Sequence, residues 1–470
     1  MDYIEGIKLF LYIVELLFIT YLIGYSTFIF LSVVIGSIKL YANKQLETLK
    51  NKDNTVYDIP VSIIIPAYNE STTVVDTVRS LLMLDYNSYE IIVVDDGSKD
   101  ETKKSVIEYF NLQKEKIKIN YEIKCNKAKE IYSSNEYKVP IKLISKNNGG
   151  KADSLNLGIN VSNYPYFICI DADSILQRDA LKKIVRPIID NNDVVAVGGF
   201  VRLGNEIQFK ECMPVNVKIP NNILAAMQVL EYDRSFLAAR ILFDQFNGNL
   251  IISGAFGLFK KDIVLASGGY DAKTMGEDME LVVKMHVFCK ANNINYSIKY
   301  AYDAICWSQA PVKLKELAKQ RRRWYIGLIQ TMKKHRDNLL FNVKYGPVST
   351  ISYFYFLIYE LLSPFIEIFG LITTLIAFAM NLINVPFMIM FFLIYAVFGA
   401  ILSLTAFLAR IYIENSKITV MDFLKAILLC LFEITVLRFI LSFTRLSAVF
   451  GYKKKEQDWG EIKRFKMLMT

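Results

Sequence analysis

A chain of 470 residues that is 53% hydrophobic and still 21% charged is neither an ordinary soluble protein nor a wholly intramembrane one, since soluble domains run at about 45–50% apolar residues. The aromatic content of 13%, with 22 Gly and 11 Pro, excludes a disordered or collagen-like chain. The net charge is +9, and the stretch 311–346 holds ten Lys/Arg against Glu316 and Asp337. A charge so confined fits a membrane-surface or phosphate-facing segment and argues against nucleic acid as a partner. Six scattered Cys and two His offer no zinc-site spacing, and they suit a reducing setting for the soluble part.

Residues 9–38 form an apolar run whose one charge is Glu15, longer than the roughly 20 residues needed to span hydrocarbon. The start Met-Asp-Tyr-Ile-Glu lacks the basic end of a cleaved signal, so a retained anchor is expected. Lys39, Lys44, Lys50 and Lys52 follow it while Asp2 and Glu5 precede it, which predicts an outside N-terminus and a cytosolic continuation. From 60 to 310 the chain reads as a soluble α/β domain. Near-continuous apolar runs at 61–66, 90–94, 141–144, 166–170 and 194–198 predict strands covered on both faces. Helical stretches at 72–83 and 179–189 between them predict βαβ units and a mainly parallel sheet. The Lys-rich stretch 114–138 predicts an exposed excursion. Three more apolar runs follow at about 350–380, 385–409 and 423–450. The last of them carries Lys425, Glu433, Arg438 and Arg445, so it reads as the one that is interfacial or re-entrant if any is. Arg410 and Lys417 place the 410–422 connection inside; the same count puts the tail outside, against the pull of Lys453, Lys454 and Lys455. The expected division is therefore 1–50 transmembrane anchor, 55–310 cytosolic catalytic domain, 311–346 basic interface helix and 347–470 membrane region, with four spans in all.

Three polar clusters fall at the ends of predicted strands. Ile65-Pro66-Ala67-Tyr68-Asn69-Glu70 closes the first, Asp95-Asp96-Gly97-Ser98 the second and Asp171-Ala172-Asp173 the fourth. In a parallel sheet those carboxyl ends lie together at the switch point where nucleotides bind. A D-x-D there aims two hard oxygen ligands at one point, which suits Mg2+ or Mn2+ bridging a diphosphate. Each cluster alone reads more readily as a cap or turn former; three on one sheet favour a site. Gly276-Glu277-Asp278 opens a helical run. It is either a dipole-stabilised cap or a general base, with Asp278 ahead of Glu277. In Gln320-Arg321-Arg322-Arg323-Trp324, helical spacing sets Gln320 beside Arg323 and Trp324. Arg pairs with a diphosphate and Trp offers a flat face to a sugar, although a basic helix before a membrane run is also an ordinary lipid-surface helix.

Taken in order, PAYNE, DDGS, DAD, GED and QRRRW with flanking membrane runs resemble the family 2 inverting nucleotide-sugar glycosyltransferases. The membrane branch of that family includes hyaluronan, cellulose, chitin-oligosaccharide and poly-N-acetylglucosamine synthases. The resemblance covers about 60–324 and implies a Rossmann-like GT-A domain combined with transmembrane helices. It implies that Tyr68, Glu70 and Asp96, with Asp95, hold the uridine of a UDP-sugar and that Lys151 contacts the donor. Asp171 and Asp173 match the metal and diphosphate site, Ser253 and Gly254 the strip near donor sugar and acceptor, and Asp278 the base. Gln320, Arg323 and Trp324 match the motif that closes over donor and acceptor. The activity implied is single displacement with inversion onto a growing β-linked polysaccharide at the lipid bilayer, with an accessory membrane or export subunit as a further candidate partner. A lipid acceptor, such as a diacylglycerol or polyprenyl phosphate, is the alternative. A non-catalytic scaffold is a third reading, which the intact acidic motifs oppose. Glu360, Glu367, Glu433 and Arg438 in the C-terminal runs would be costly facing lipid. They are expected either to line a polar sugar path or to pair within the bundle.

Overall fold

The computed structural model describes residues 3–50, 58–215, 217–415 and 418–450. Its core is one sheet built from the β-branched runs. In chain order the strands are β1 (Val61–Ala67), β2 (Tyr89–Asp95), β3 (Gln113–Glu115), β4 (Ala128–Ser134), β5 (Ile141–Lys146), β6 (Tyr166–Cys169), β7 (Ile175–Leu176) and β8 (Val194–Leu203). A separate antiparallel ribbon of β9 (Gln208–Lys210) and β10 (Met213–Val215) follows, then β11 (Gly257–Lys260) and β12 (Ser297–Ser308). The ten-stranded order is β3-β4-β5-β2-β1-β6-β11-β8-β12-β7. Both faces are covered, as near-continuous apolar strands require. Ile63 and Ile65 of β1 enter one core with Val74, Val78 and Ile184, while Ile64 enters the other with Leu155 and Ile159.

Two expectations about the sheet are corrected. It is mixed rather than mainly parallel: β5, β2, β1 and β6 run parallel, as do β8 and β12, but β11 lies antiparallel between β6 and β8. The Lys-rich stretch is not a bare excursion, because β4 extends the sheet antiparallel to β5 and β3 pairs antiparallel with β4. Its β character is masked because β4 is only partly buried, with Ile131 in one core and Tyr132 against the other, and Lys103 and Lys114 gather on Glu130.

Among the described residues, three helical runs have the length and apolar character to cross a membrane: Glu5–Leu46, Val385–Glu414 and Val420–Val449. A fourth is met only if Val348–Leu361 and Ser363–Ala379, bent by 45°, act as one broken span. The interrupted run is thus the first C-terminal one and not the last, against expectation. Pro364 in the first turn of its second half cannot continue a helical hydrogen-bond ladder. The last run stays long because its charges find partners inside the protein. The apolar helices are tied to the sheet domain by buried ion pairs, Arg410 with Asp233 at 2.9 Å and Arg202 with Glu414 at 2.5 Å. Lys44 near the end of the first helix donates to Asn415 at 2.7 Å. The ends Lys44 and Glu414 therefore sit on the same side as the sheet domain. Lys52, Lys417 and Lys453–Lys455, on which the sidedness argument leans, lie outside the described residues.

Candidate active site

The loops after β1 and β2 are braced against each other. Asn69 sits in the left-handed region at φ +55, where asparagine is among the better-tolerated residues. Its N–H donates to Ser98 at 3.1 Å, and its side chain accepts from Lys99 at 2.9 Å. The Glu70 N–H donates to the Thr102 hydroxyl at 2.8 Å. The co-occurrence of PAYNE and DDGS is therefore structural: each loop supplies the other's missing partners. Asp96 is buried and accepts from the Gly149 and Gly150 N–H groups at 2.9 and 2.8 Å, and from the ammonium of the fully buried Lys146. Asp95 accepts the Ser98 N–H at 3.1 Å. It holds the turn and is not part of the cavity wall, so direct uridine contact by Asp95 is not supported.

One cavity of about 1180 Å³ collects the other expected residues: Tyr68, Glu70, Asp96, Lys151, Asp171, Asp173, Ser253, Gly254, Glu277, Asp278, Gln320, Arg323 and Trp324 all line it. Lys151, the first residue of helix Lys151–Val161, reaches Asp171 Oδ1 at 2.5 Å, the Gly254 carbonyl at 3.3 Å and Glu277 at 3.8 Å. Burial alone would lower its pKa, but Asp171 and Glu277 outweigh that and hold it raised. Asp278, half-buried in the first turn of helix Glu277–Ala291, accepts the Gly254 N–H at 3.1 Å and its own helix's Met279 N–H at 2.8 Å. Both bonds fix the position of its carboxylate.

Glu277 differs. Burial pushes its pKa up to about 7, with Lys151 opposing and Asp278 adding to the rise. A carboxyl raised above its usual 4.5 contributes stability present below that value and lost as pH climbs through about 7. Glu277→Gln is therefore expected to melt higher than the parent at pH 8 in detergent, with the gap closing by pH 5. Melting curves that differ equally at both pH values would show that Glu277 is not held protonated.

The cavity wall carries the carboxylates Glu70, Asp96, Asp171, Asp173 and Asp278, with the raised Glu277 beside them, near the cations Lys151, Arg240 and Arg323. A diphosphate entering there adds more negative charge, so a divalent cation fits the donor chemistry. Among the described residues no three acidic, His or Cys side chains converge as a complete metal cage. Asp171 and Asp173 are the carboxylates in the wall that could serve a divalent ion such as Mg2+, which takes one or two when phosphates complete its shell.

Residues without a sequence signal complete the frame. Gly327 of helix Leu314–Lys334 packs backbone to backbone on Gly276, where a Cβ on Gly327 would lie 2.6 Å from the Gly276 Cα. One turn on, Gln330 accepts from the Met275 N–H at 2.8 Å and the Thr274 hydroxyl at 3.1 Å. This clasp locks the GED turn to the helix that carries QRRRW. Within that motif Arg321 is buried, pairs with Glu231 at 2.7 Å and lies 4.5 Å from the centre of the Trp324 ring. The helix is no simple lipid-surface helix: Leu317 packs on Leu437 and Leu441, and Lys334 binds Asp271 and Glu280 at 2.6 and 2.7 Å.

Fold and site together define a GT-A-type domain joined to apolar helices. The chain belongs to glycosyltransferase family 2: the model described as "Glycosyltransferase like family 2" matches residues 59–327. It is 31% identical over 315 residues to the poly-beta-1,6-N-acetyl-D-glucosamine synthase of Staphylococcus aureus strain COL, covering 66% of this chain and 65% of that protein. It is also 31% identical over 313 residues to the synthase of the same name from Staphylococcus epidermidis, covering 65% and 64%. The match thus spans just under two thirds of those relatives. Among solved structures it is similar to a mannosyltransferase, PcManGT from Pyrobaculum calidifontis, with TM-score 0.47 and 16% identity over 92% of this chain and 98% of that one.

Proposed function

We propose that this protein is an inverting glycosyltransferase that extends a β-1,6-linked poly-N-acetylglucosamine from UDP-N-acetylglucosamine and delivers the polymer into the membrane. The observation that carries this reading is the continuity of the cavity. It runs from the strand-end carboxylates past Asp278 and Trp324 to Tyr25, Tyr359, Tyr395 and Arg438 on the membrane helices. At about 1180 Å³ it exceeds the roughly 300–1,000 Å³ of ordinary small-molecule sites, which suits a donor together with several acceptor residues. The identity to two synthases of that polymer supports the choice of sugar. The domain division at 1–50, 55–310, 311–346 and 347–470, the cytosolic side of the catalytic domain and multi-pass insertion belong to the same proposal.

In this mechanism Tyr68, Glu70 and the loop braced by Asp96 seat the uridine. Asp278 takes the proton from the acceptor hydroxyl, whose oxygen attacks the anomeric carbon opposite the nucleotide. The bond from that carbon to the diphosphate oxygen breaks, and UDP leaves with the electron pair. Lys151 and Arg323 lie where that negative charge grows. Mg2+ or Mn2+ held by Asp171 and Asp173 would supply further neutralisation of the diphosphate. Attack from the far face turns an α-linked donor into a β-linked product. Gln320, with a buried side-chain oxygen that has no partner among the described residues, offers a sugar hydroxyl an acceptor. Trp324, 39% exposed, offers its ring face.

The test is radiolabel incorporation by the detergent-solubilised full chain with each UDP-sugar in turn, followed by sizing of the product. High-mass product from UDP-N-acetylglucosamine is expected, abolished by EDTA and restored by Mg2+ or Mn2+. Short product that partitions into organic solvent would replace this reading with a lipid glycosyltransferase.

A further inference from the structure

The membrane end of the cavity is lined by ionisable side chains that cancel one another. Among the described residues there, Arg234, Arg438 and Arg445 face Glu433, Glu367 and Glu360. Arg234 grips Glu433 through both terminal nitrogens, at 2.7 and 2.8 Å. Arg438 donates from Nε and Nη2 to Glu367 at 3.0 and 2.6 Å and from Nη1 to the Tyr395 hydroxyl at 2.9 Å. Its guanidinium lies 4.5 Å from the centre of the Tyr25 ring, and the second Glu367 oxygen accepts from Ser442 at 2.6 Å. Arg445 lies 3.6 Å from Glu360. Lining the path and pairing within the bundle are therefore one arrangement, not two alternatives.

We propose that these pairs make the passage an electroneutral filter, which admits an uncharged glycan and turns away polyanionic and polycationic ones. A charge on the glycan would enter a poorly hydrated wall in which the opposite charges are already engaged. It would have to break a pair and strand its partner, or remain uncompensated. A neutral sugar has no such requirement. Its ring faces meet Tyr25, Tyr355 and Tyr359, and its hydroxyls meet the outer edges of the paired groups. The inference rests on the reading above only for the direction in which the glycan grows.

The test is direct binding to the purified full chain in detergent, so it does not depend on turnover. The probes are labelled hexasaccharides: β-1,6-linked N-acetylglucosamine, its de-N-acetylated cationic form and an anionic form O-sulfated on the C3 and C4 hydroxyls that the linkage leaves free. The neutral probe is expected to bind at least tenfold tighter than either charged one. Glu367→Gln, which leaves Arg438 without its counter-charge, is expected to narrow the gap for the anionic probe at least tenfold. Glu433→Gln makes the same test at the second pair, and retained UDP binding identifies variants that have folded. Equal binding of all three probes to the parent, or unchanged selectivity in both folded variants, would overturn the filter. Transfer from no UDP-sugar, alongside preference for the neutral probe, would instead overturn the proposed activity and leave the filter standing.

Discussion

Asp278→Asn is expected to lower sugar transfer by about 10²–10⁴-fold, the range for removal of a positioned general base, while UDP binding stays within about twofold. The substitution keeps the size of the side chain and one oxygen able to accept from the Met279 or Gly254 N–H. It removes the one capacity the mechanism requires, accepting a proton from the incoming hydroxyl. Donor binding should survive because the loops after β1 and β2 brace each other without Asp278. The comparison that decides the assignment is Glu277→Gln. Glu277 is 6% exposed and points toward Lys151, so its substitution should disturb donor placement more than proton transfer. Full activity in Asp278→Asn together with loss in Glu277→Gln would move the base to Glu277.

How far the site was legible in the sequence follows from how local each signal is. The strand ends were readable because β-branched runs such as Ile63–Ile65 and Ile91–Val94 need cover on both faces and break off at polar loops. The acidic clusters were readable because they punctuate those ends. Pairings between distant segments were not readable. Nothing near Gly257–Lys260 announces that it inserts antiparallel between β6 and β8, since strand order depends on contacts far along the chain. Asp95 and Asp96 are adjacent and chemically alike, yet one holds a turn and the other caps the loop before Lys151. Composition marked Glu367, Glu433 and Arg438 as costly in lipid, but only the packed bundle shows their partners. Glu231 had no signal at all, because a lone acid in a helix is ordinary until Arg321 is found against it.

Gly327 carries this furthest, because local and tertiary physics give its substitution opposite signs. In an isolated helix Gly327→Ala gains up to about 1 kcal/mol, the difference in helix propensity. In the folded protein the new Cβ would lie 2.6 Å from both the N and Cα of Gly276 and 3.0 Å from the Met275 carbonyl carbon. All three are backbone atoms, so no side chain can swing aside. Helix Leu314–Lys334 must instead move off the GED turn by about 1 Å to restore ordinary contact, and that carries Arg323 and Trp324 away from Asp278. A displacement of that size costs about 10²-fold in rate when reacting groups must meet in line. Turnover of Gly327→Ala is accordingly expected to fall about 100-fold, with UDP affinity retained because the uridine loops lie on other elements. Gly6→Ala is the control, since a Cβ at Gly6 meets nothing within 4 Å. A Gly327→Ala enzyme that turns over at the parental rate would show that the clasp between Gly276 and Gly327 does not set the distance between base and acceptor motif.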